Sequence, residues 1–205
     1  MVKPNEYDNT QAGGAYEVPE VGGHHMIIKQ VSEMKNKKGG DMIAVLFDFA
    51  PNDVQPEFFM NQFKADVRPD KKYPHKGTNY INVLGPDGKT TRSYKTFCTC
   101  FENSNGVKIN WTENSAEWCA QFKNKRIGGC FGVVHSVYNG KEYASPELRW
   151  FLSDDKVDGC AIPKEKELSA EEAKQLTSTT GNPMPTSPDG FMSIAEGVGE
   201  ELPFN

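Results

Sequence analysis

The chain has 205 residues, of which 37% are hydrophobic, and a formal net charge of −5. This length accommodates one domain of ordinary size with tails. No apolar run approaches the roughly 18 residues of a membrane-spanning helix, and the polar residues 1–14 lack the apolar stretch of a signal peptide. Because the cysteines are odd in number, five, and none forms a Cys-x-x-Cys pair, we expect reduced thiols in a cytoplasmic protein. The lack of a long apolar run leads us to expect no membrane contact.

The charge is unevenly distributed along the chain. Residues 165–205 carry eight acidic and two basic side chains, whereas residues 1–164 have a net charge of +1. Within that body, residues 60–96 carry eight basic and three acidic side chains. A basic segment followed by an acidic tail is typical of a protein that binds a polyanion with one part and a partner with the other. A lysine-rich surface loop without a ligand is the alternative interpretation.

The first half of the chain predicts a hairpin followed by a long loop. Residues 1–14 are polar and are predicted to be frayed. Alternating or β-branched residues predict strands from His24 to Glu33 and from Met42 to Phe49, joined by a turn at 35–40. Residues 51–89 contain five prolines and are too long for an empty connection, so we predict a functional loop with short strands of its own.

The second half predicts one helix, a second hairpin and a terminal linker. Tyr94, Phe97, Cys98 and Phe101 have the spacing of an apolar helical stripe, which predicts a short helix that ends before Asn103. Residues 115–122 predict a helical turn, and strands at 125–138 and 142–153 are predicted around the turn signal Asn139-Gly140. A capping box at 169–172 predicts the start of a helix that runs to about residue 176. From residue 177 onward the composition predicts a flexible linker.

These elements predict a mainly β fold, with an OB-fold-like antiparallel barrel, one or two short helices and a disordered acidic C-terminal tail. The strand count also fits an SH3-like barrel or a β-sandwich. We predict a flexible N-terminus at 1–14, a nucleic-acid-binding domain at 15–164, a short helix and linker at 165–199, and a partner-binding tip at 200–205.

Aromatic and basic residues alternate in the segment from residue 58 to residue 97, in the manner of a single-strand-binding surface. Such surfaces hold phosphates in a positive groove and stack bases on rings, at about 1–3 kcal/mol per base. The predicted nucleic-acid-binding residues are Lys64, Arg68, Lys71, Lys72, Tyr73, Lys76, Tyr80, Arg92, Tyr94, Lys125, Arg126, Arg149 and Phe151. The helical stripe argues for burial of Tyr94, and we assign Trp150 to the core rather than to the groove.

Enzymatic chemistry finds little support in the sequence. Adjacent His24 and His25 point to opposite faces of a strand, and the other histidines lack a ligand partner at metal-site spacing. The early carboxylates do not form the pattern of a two-metal nuclease, and Gly88-Lys89-Thr90 lacks the upstream glycine of a phosphate loop. We therefore predict a protein that is not an enzyme and has no catalytic residue, metal or cofactor.

The chain ends in an acidic pair followed by an apolar and aromatic tip. The predicted partner-binding residues are Glu200, Glu201, Leu202, Pro203 and Phe204. In a short recognition peptide of this kind the ring is the buried anchor and the charges steer the encounter.

Several stretches, which together span about 150 residues, resemble a known family. They are Gly14–Pro19, Lys38–Asp41, Phe101–Asn105 with Trp111, Phe122–Phe131, Tyr138–Lys141, Arg149–Phe151 and Pro163. The family is the single-stranded-DNA-binding proteins encoded in replication or recombination modules of phages that infect Gram-positive bacteria. The tip resembles that of bacterial single-stranded-DNA-binding proteins generally, although in those the phenylalanine is the last residue and here Asn205 follows it.

The resemblance implies a protein of the host cytoplasm that coats and protects single-stranded DNA during phage replication and recombination. It also implies recruitment of a recombinase, helicase, primase or polymerase through the tip. A homo-oligomer is a separate possibility, because two or more subunits would raise avidity, but the sequence does not give the oligomeric state. Two other classes remain open at this stage. One is a phage protein-interaction or anti-defence inhibitor that does not bind DNA, and the other is a metal-dependent nuclease.

Overall fold

A computed structural model describes Lys3 and residues 17–179 of the chain. Its strands are β1 (Gly22–Lys35), β2 (Asp41–Phe49), β3 (Thr78–Asn82), β4 (Arg126–Tyr138) and β5 (Lys141–Leu152). Its helices are α1 (Phe58–Ala65), α2 (Arg92–Asn105), α3 (Ser115–Ala120) and α4 (Ala170–Thr179), with short 3-10 turns at His75–Gly77 and Asp154–Lys156. Of the described residues, 17–135 and 144–167 form one compact unit, and 136–143 with 168–179 form a second. The predicted acidic tip lies outside the described residues.

The strands form one antiparallel sheet in the order β3-β2-β1-β4-β5, which confirms the mainly β prediction. The first strand is central: β1 pairs with β2 from Met26 to Lys35 and with β4 from Gly22 to Ile27. The register against β2 shifts between Ile28 and Gln30, and such a bulge bends a long strand and increases its twist. In the described part of the chain no hydrogen-bonded pair joins β3 to β5, so the sheet is open rather than a closed barrel.

The core lies on one face of the sheet and consists largely of phenylalanine rings. Alternate residues of β1 and β2 point into it, among them Met26, Phe47 and Phe49. The predicted apolar stripe of α2 covers this face, with Phe97 and Phe101 buried. A left-handed residue, Gly106, ends α2 at φ 62°, a conformation that glycine adopts without steric cost.

Helix α1 lies within the segment that the sequence predicted as a loop with short strands. Its N-cap residue, Glu57, is in a left-handed conformation and its side chain does not cap the helix. The buried carboxylate of Asp48 takes that role, because its Oδ1 accepts a hydrogen bond from the Phe59 N–H at 2.9 Å. Only β3 represents the short strands expected in this region.

Glycines in β1 and β4 allow the segment after β5 to lie directly against the sheet. A Cβ atom on Gly23 would stand 2.2 Å from the Val157 carbonyl oxygen, and one on Gly132 would stand 2.3 Å from Pro163 Cγ. No side chain fits at such distances, so the glycines at these strand positions are required by packing. Residues 157–163 therefore cover this part of β1 and β4.

Two further sequence predictions concern the cysteines and membrane-spanning segments. Cys98, Cys100, Cys119, Cys130 and Cys160 are all free thiols. Within the described residues, no helix has the length and apolar character needed to span a membrane.

Candidate nucleic-acid interface

A cleft of about 210 Å³ lies between the two edge strands of the open sheet. One wall comes from the 3-10 turn and β3, and the other from Glu147 and Leu148 of β5. The lining residues of the first wall are His75, Lys76, Thr78, Asn79 and Tyr80. The sheet therefore curls far enough for its two edges to face each other without pairing.

Tyr80 presents an aromatic ring at this cleft. Its neighbour Ile81 is buried in the core, and because successive strand residues point to opposite faces, Tyr80 points outward. Half of the Tyr80 side chain is exposed (50%), and its ring lies 6.2 Å from the ring of His75. The ring is thus available to a flat ligand.

Lys76 supplies positive charge beside Tyr80. In the described part of the chain no carboxylate lies within ion-pair distance of its ammonium group, although Glu147 stands on the opposite wall. A half-buried lysine without a carboxylate partner is free to bind an anion such as a phosphate.

No protein-family model matches the chain, and no curated protein matches it.

Tyr73 supports the loop rather than standing free beside the cleft. Its hydroxyl donates a hydrogen bond to the Phe47 carbonyl oxygen at 2.8 Å, and its ring packs against the core. Burial, together with the charge of Asp48, raises the pKa of Tyr73 above its usual range. The sequence prediction of a wet stacking ring at this position is therefore wrong, because the hydroxyl anchors the chain to β2.

Several of the predicted cations are occupied by acidic neighbours. Arg68 makes hydrogen bonds with both carboxylate oxygens of Asp66, the shortest at 2.6 Å, and these lower the pKa of Asp66 to about 2. Lys64 lies 3.8 Å from Glu57, and the Lys71 ammonium stands 4.8 Å above the Phe63 ring. Lys72 is exposed.

Two predicted aromatic residues are buried and cannot stack bases. Tyr94 belongs to the core-facing stripe of α2, as the helical spacing indicated. Phe151 is only 5% exposed and packs against Phe97, whereas Trp150 is 42% exposed. The assignment of Phe151 to the groove and Trp150 to the core is therefore reversed. The physical reason is that Leu148 and Phe151, three residues apart, both pack against the core, so the strict alternation of β5 is broken.

The other predicted cations lie apart from the cleft lining. Arg126 pairs with Asp154 at 3.3 Å, and Arg149 donates to the Lys164 carbonyl oxygen at 3.0 Å. Lys125 is exposed directly before β4. Arg92 lines a separate groove of about 630 Å³ along α2, together with Lys95 and several threonines. Of the predicted residues, only Lys76 and Tyr80 line the cleft.

Sequence reasoning missed His75 as a cleft residue and Trp111 as an exposed ring. His75 directly precedes Lys76, and from this adjacency its position at the cleft could have been predicted. Trp111 is exposed and stacks on the buried Trp118, with ring centroids 6.3 Å apart. Its loop position gave no periodicity from which exposure could be inferred.

The two adjacent histidines of β1 occupy separate environments, which agrees with their predicted opposite directions. Buried His24 bonds Asp53 through Nδ1 at 2.9 Å, and half-buried His25 bonds Asp154 through Nδ1 at 2.8 Å. Among the described residues, no three His, Cys, Asp or Glu side chains form a group that could hold a metal ion.

Proposed function

We propose that this chain is a non-catalytic single-stranded-DNA-binding protein. It coats and protects exposed single strands during phage DNA replication and recombination, and its acidic tip, residues 200–204, recruits partner proteins of those processes. Binding has little sequence preference, because stacking and phosphate contacts do not distinguish the bases.

The observation that carries this proposal is the cleft between β3 and β5. It combines an outward aromatic ring, Tyr80, with the cation Lys76 and the imidazole of His75. Single-strand-binding surfaces need this combination: a ring for the face of a base and a positive group for the adjoining phosphate. Glu147 on the far wall limits the positive charge of the cleft.

The architecture around the cleft is compatible with this use. An open antiparallel sheet of five strands, with α2 between β3 and β4, is compatible with the partly open five-stranded barrel of the OB-fold. In that fold, a strand face and the adjoining loops bind oligonucleotides. The β3–β5 cleft lies where such a barrel would close.

The direct test is fluorescence anisotropy with labelled oligo-dT, a matched duplex and RNA at several salt concentrations. We expect preference for the single strand, and affinity that falls steeply with salt as counterions are released. Absence of oligo-dT binding in dilute buffer would overturn the proposal. Binding of a protein target in its place would favour the interaction-protein alternative.

The cleft itself is tested with Tyr80→Ala and a matched Tyr80→Phe control. Because loss of one stacked base costs about 1–3 kcal/mol, we expect the alanine variant to bind oligo-dT more weakly by that amount. The phenylalanine variant keeps the ring and is expected to bind like the wild type. Lys76→Gln should lower the slope of log affinity against log salt by about 0.7, the value for one phosphate contact on a single strand. Equal binding by the wild type, Tyr80→Ala and Lys76→Gln would remove this cleft from the interface.

A further inference from the structure

The tip of the β4–β5 hairpin carries two exposed tyrosines that the cleft does not include. Tyr138 is 67% exposed and Tyr143 is 49% exposed. Within the described residues, neither ring contacts another aromatic ring. Large aromatic side chains usually bury most of their surface, so two such rings at one hairpin tip call for a binding explanation.

The turn places both rings on the same face of the hairpin. Asn139 and Gly140 both have positive φ, 49° and 69°, which is the type I′ geometry of a two-residue hairpin loop. Such a loop sets Tyr138 opposite Lys141. Because side chains alternate along a strand, Tyr143 lies on the same face as Lys141, diagonally across from Tyr138.

The spacing expected for a diagonal pair of this kind fits one intercalated base. Diagonal neighbours on one face of an antiparallel pair lie about 7–8 Å apart. Successive stacked planes in a nucleic acid lie about 3.4 Å apart, so a base held between two rings needs about 7 Å. Lys141 projects from the same face, where its ammonium group can bind a flanking phosphate.

The composition of this face favours a nucleobase over a protein side chain. By the same register, Ser136 lies opposite Tyr143, so the face consists of a hydroxyl, two phenols and an ammonium group. Within residues 136–143, no aliphatic residue lies on this face to form the pocket that a protein anchor would fill. Rings bordered by polar groups are the usual platform for bases of single strands.

We propose that Tyr138, Lys141 and Tyr143 form a second contact for single-stranded nucleic acid, with one base held between the two rings and Lys141 on a neighbouring phosphate. This inference rests on the proposed function and adds to it a separate site on the hairpin. The ligand class is a single strand with accessible base faces, and no base edge is read.

The test compares the double variant Tyr138→Ala/Tyr143→Ala with the matched Tyr138→Phe/Tyr143→Phe in oligo-dT anisotropy with the full chain. We expect the alanine pair to bind at least about fivefold more weakly, and the phenylalanine pair to bind like the wild type because it keeps both rings. Lys141→Gln should reduce the salt slope by about 0.7. Thermal unfolding of each variant establishes that the fold is unchanged.

A second measurement needs no variant. Wild-type protein is photo-crosslinked to oligo-dT that carries 5-iododeoxyuridine, and the attached peptides are identified by mass spectrometry. Cross-links at Tyr138 or Tyr143 support the inference. If the wild type binds oligo-dT but cross-links only elsewhere, and the alanine pair binds equally well, the hairpin site is overturned while the proposed function stands. If the wild type does not bind oligo-dT, the proposed function itself fails.

Discussion

Asp48 is the residue on which the start of α1 depends. Its carboxylate is fully buried, and its Oδ1 accepts hydrogen bonds from the backbone N–H groups of Phe49 and Phe59. Burial raises the pKa of Asp48, and these hydrogen bonds together with Lys29 oppose that effect. Lys29 stands 3.9 Å from Oδ2, which has no hydrogen-bond partner in the described part of the chain.

We predict that Asp48→Ala lowers the free energy of unfolding by about 1–3 kcal/mol, because it leaves the Phe59 N–H buried and unsatisfied. Urea denaturation measures this change. The matched control is Glu57→Ala, whose exposed side chain does not cap the helix and whose ion pair with Lys64 is solvent-exposed. Its expected effect is about 0.5 kcal/mol or less. Equal losses in the two variants would contradict the capping role of Asp48.

His25 makes stability depend on pH near neutrality. Burial lowers the pKa of His25, but the hydrogen bonds and charges of Asp154 and Asp158 outweigh this, so the net pKa is raised. The folded state therefore holds the proton more tightly than the unfolded state. This contribution to stability is complete below the ordinary histidine pKa of about 6.5 and is lost as pH rises through the folded pKa.

We predict that the melting temperature of the wild type declines as the pH rises above about 6.5, the ordinary histidine pKa. In His25→Gln this part of the decline disappears, because glutamine does not titrate. His75→Gln is the matched control, since His75 is exposed and its described contact is with the Tyr80 ring. Thermal unfolding in a pH series measures all three proteins. An unchanged slope in His25→Gln would show that other groups cause the pH dependence.

At the scale of elements, local pattern predicted most of the sheet and the main helix. The alternation of His24–Glu33 and the apolar run Met42–Phe49 correspond to β1 and β2, and the Asn139-Gly140 turn joins β4 to β5. Helix α1 was not predicted because the carboxylate that caps its start belongs to Asp48, which lies on β2 and not in the helix segment itself. Trp150 was misplaced because the alternation of β5 is broken by packing. Both errors arise from tertiary contacts that no sequence window contains.

The close approach of residues 157–163 to β1 and β4 depends on glycines, and it can be tested at Gly23. We predict that Gly23→Ala destabilises the fold by about 1–3 kcal/mol or more, because the new methyl group would overlap the Val157 carbonyl. Gly159→Ala is the matched control, since a Cβ atom there would have nothing within 4 Å and its φ is not in the left-handed region. Urea denaturation should find the control close to the wild type. Wild-type stability in Gly23→Ala would mean that residues 157–163 do not rest on β1.

At the scale of the whole molecule, the sequence located the basic, aromatic segment but not the way in which its residues assemble. Lys76 and Tyr80 reach the cleft because the sheet curls and brings β3 opposite β5, which lies far away along the chain. Tyr73, only a few residues before them, turns its hydroxyl to Phe47. Residue type alone does not distinguish these two tyrosines, because they differ in their tertiary contacts: Tyr73 bonds to β2, whereas Tyr80 faces β5 across the cleft.

The acidic C-terminal segment is expected to compete with DNA. Residues 177–205 contain four carboxylate side chains and no lysine or arginine, so their removal changes the formal net charge from −5 to −1. We predict that a chain ending at residue 176 binds oligo-dT as well as the full chain or slightly more tightly at low salt, because fewer anions compete for the cations of the body. Screening should remove the difference at high salt, where the Debye length is about 3 Å at 1 M.

The matched control for this deletion is a full-length chain in which Asp189, Glu196, Glu200 and Glu201 are replaced by their amides. If charge is the cause, this variant reproduces the salt-dependent gain of the shortened chain, and both are measured by oligo-dT anisotropy over a salt series. Markedly weaker DNA binding by the shortened chain would mean that residues 177–205 contribute to DNA affinity. We expect the shortened chain to lose partner recruitment and to keep DNA binding, because in the proposed function the body binds the single strand and the last residues bind the partner.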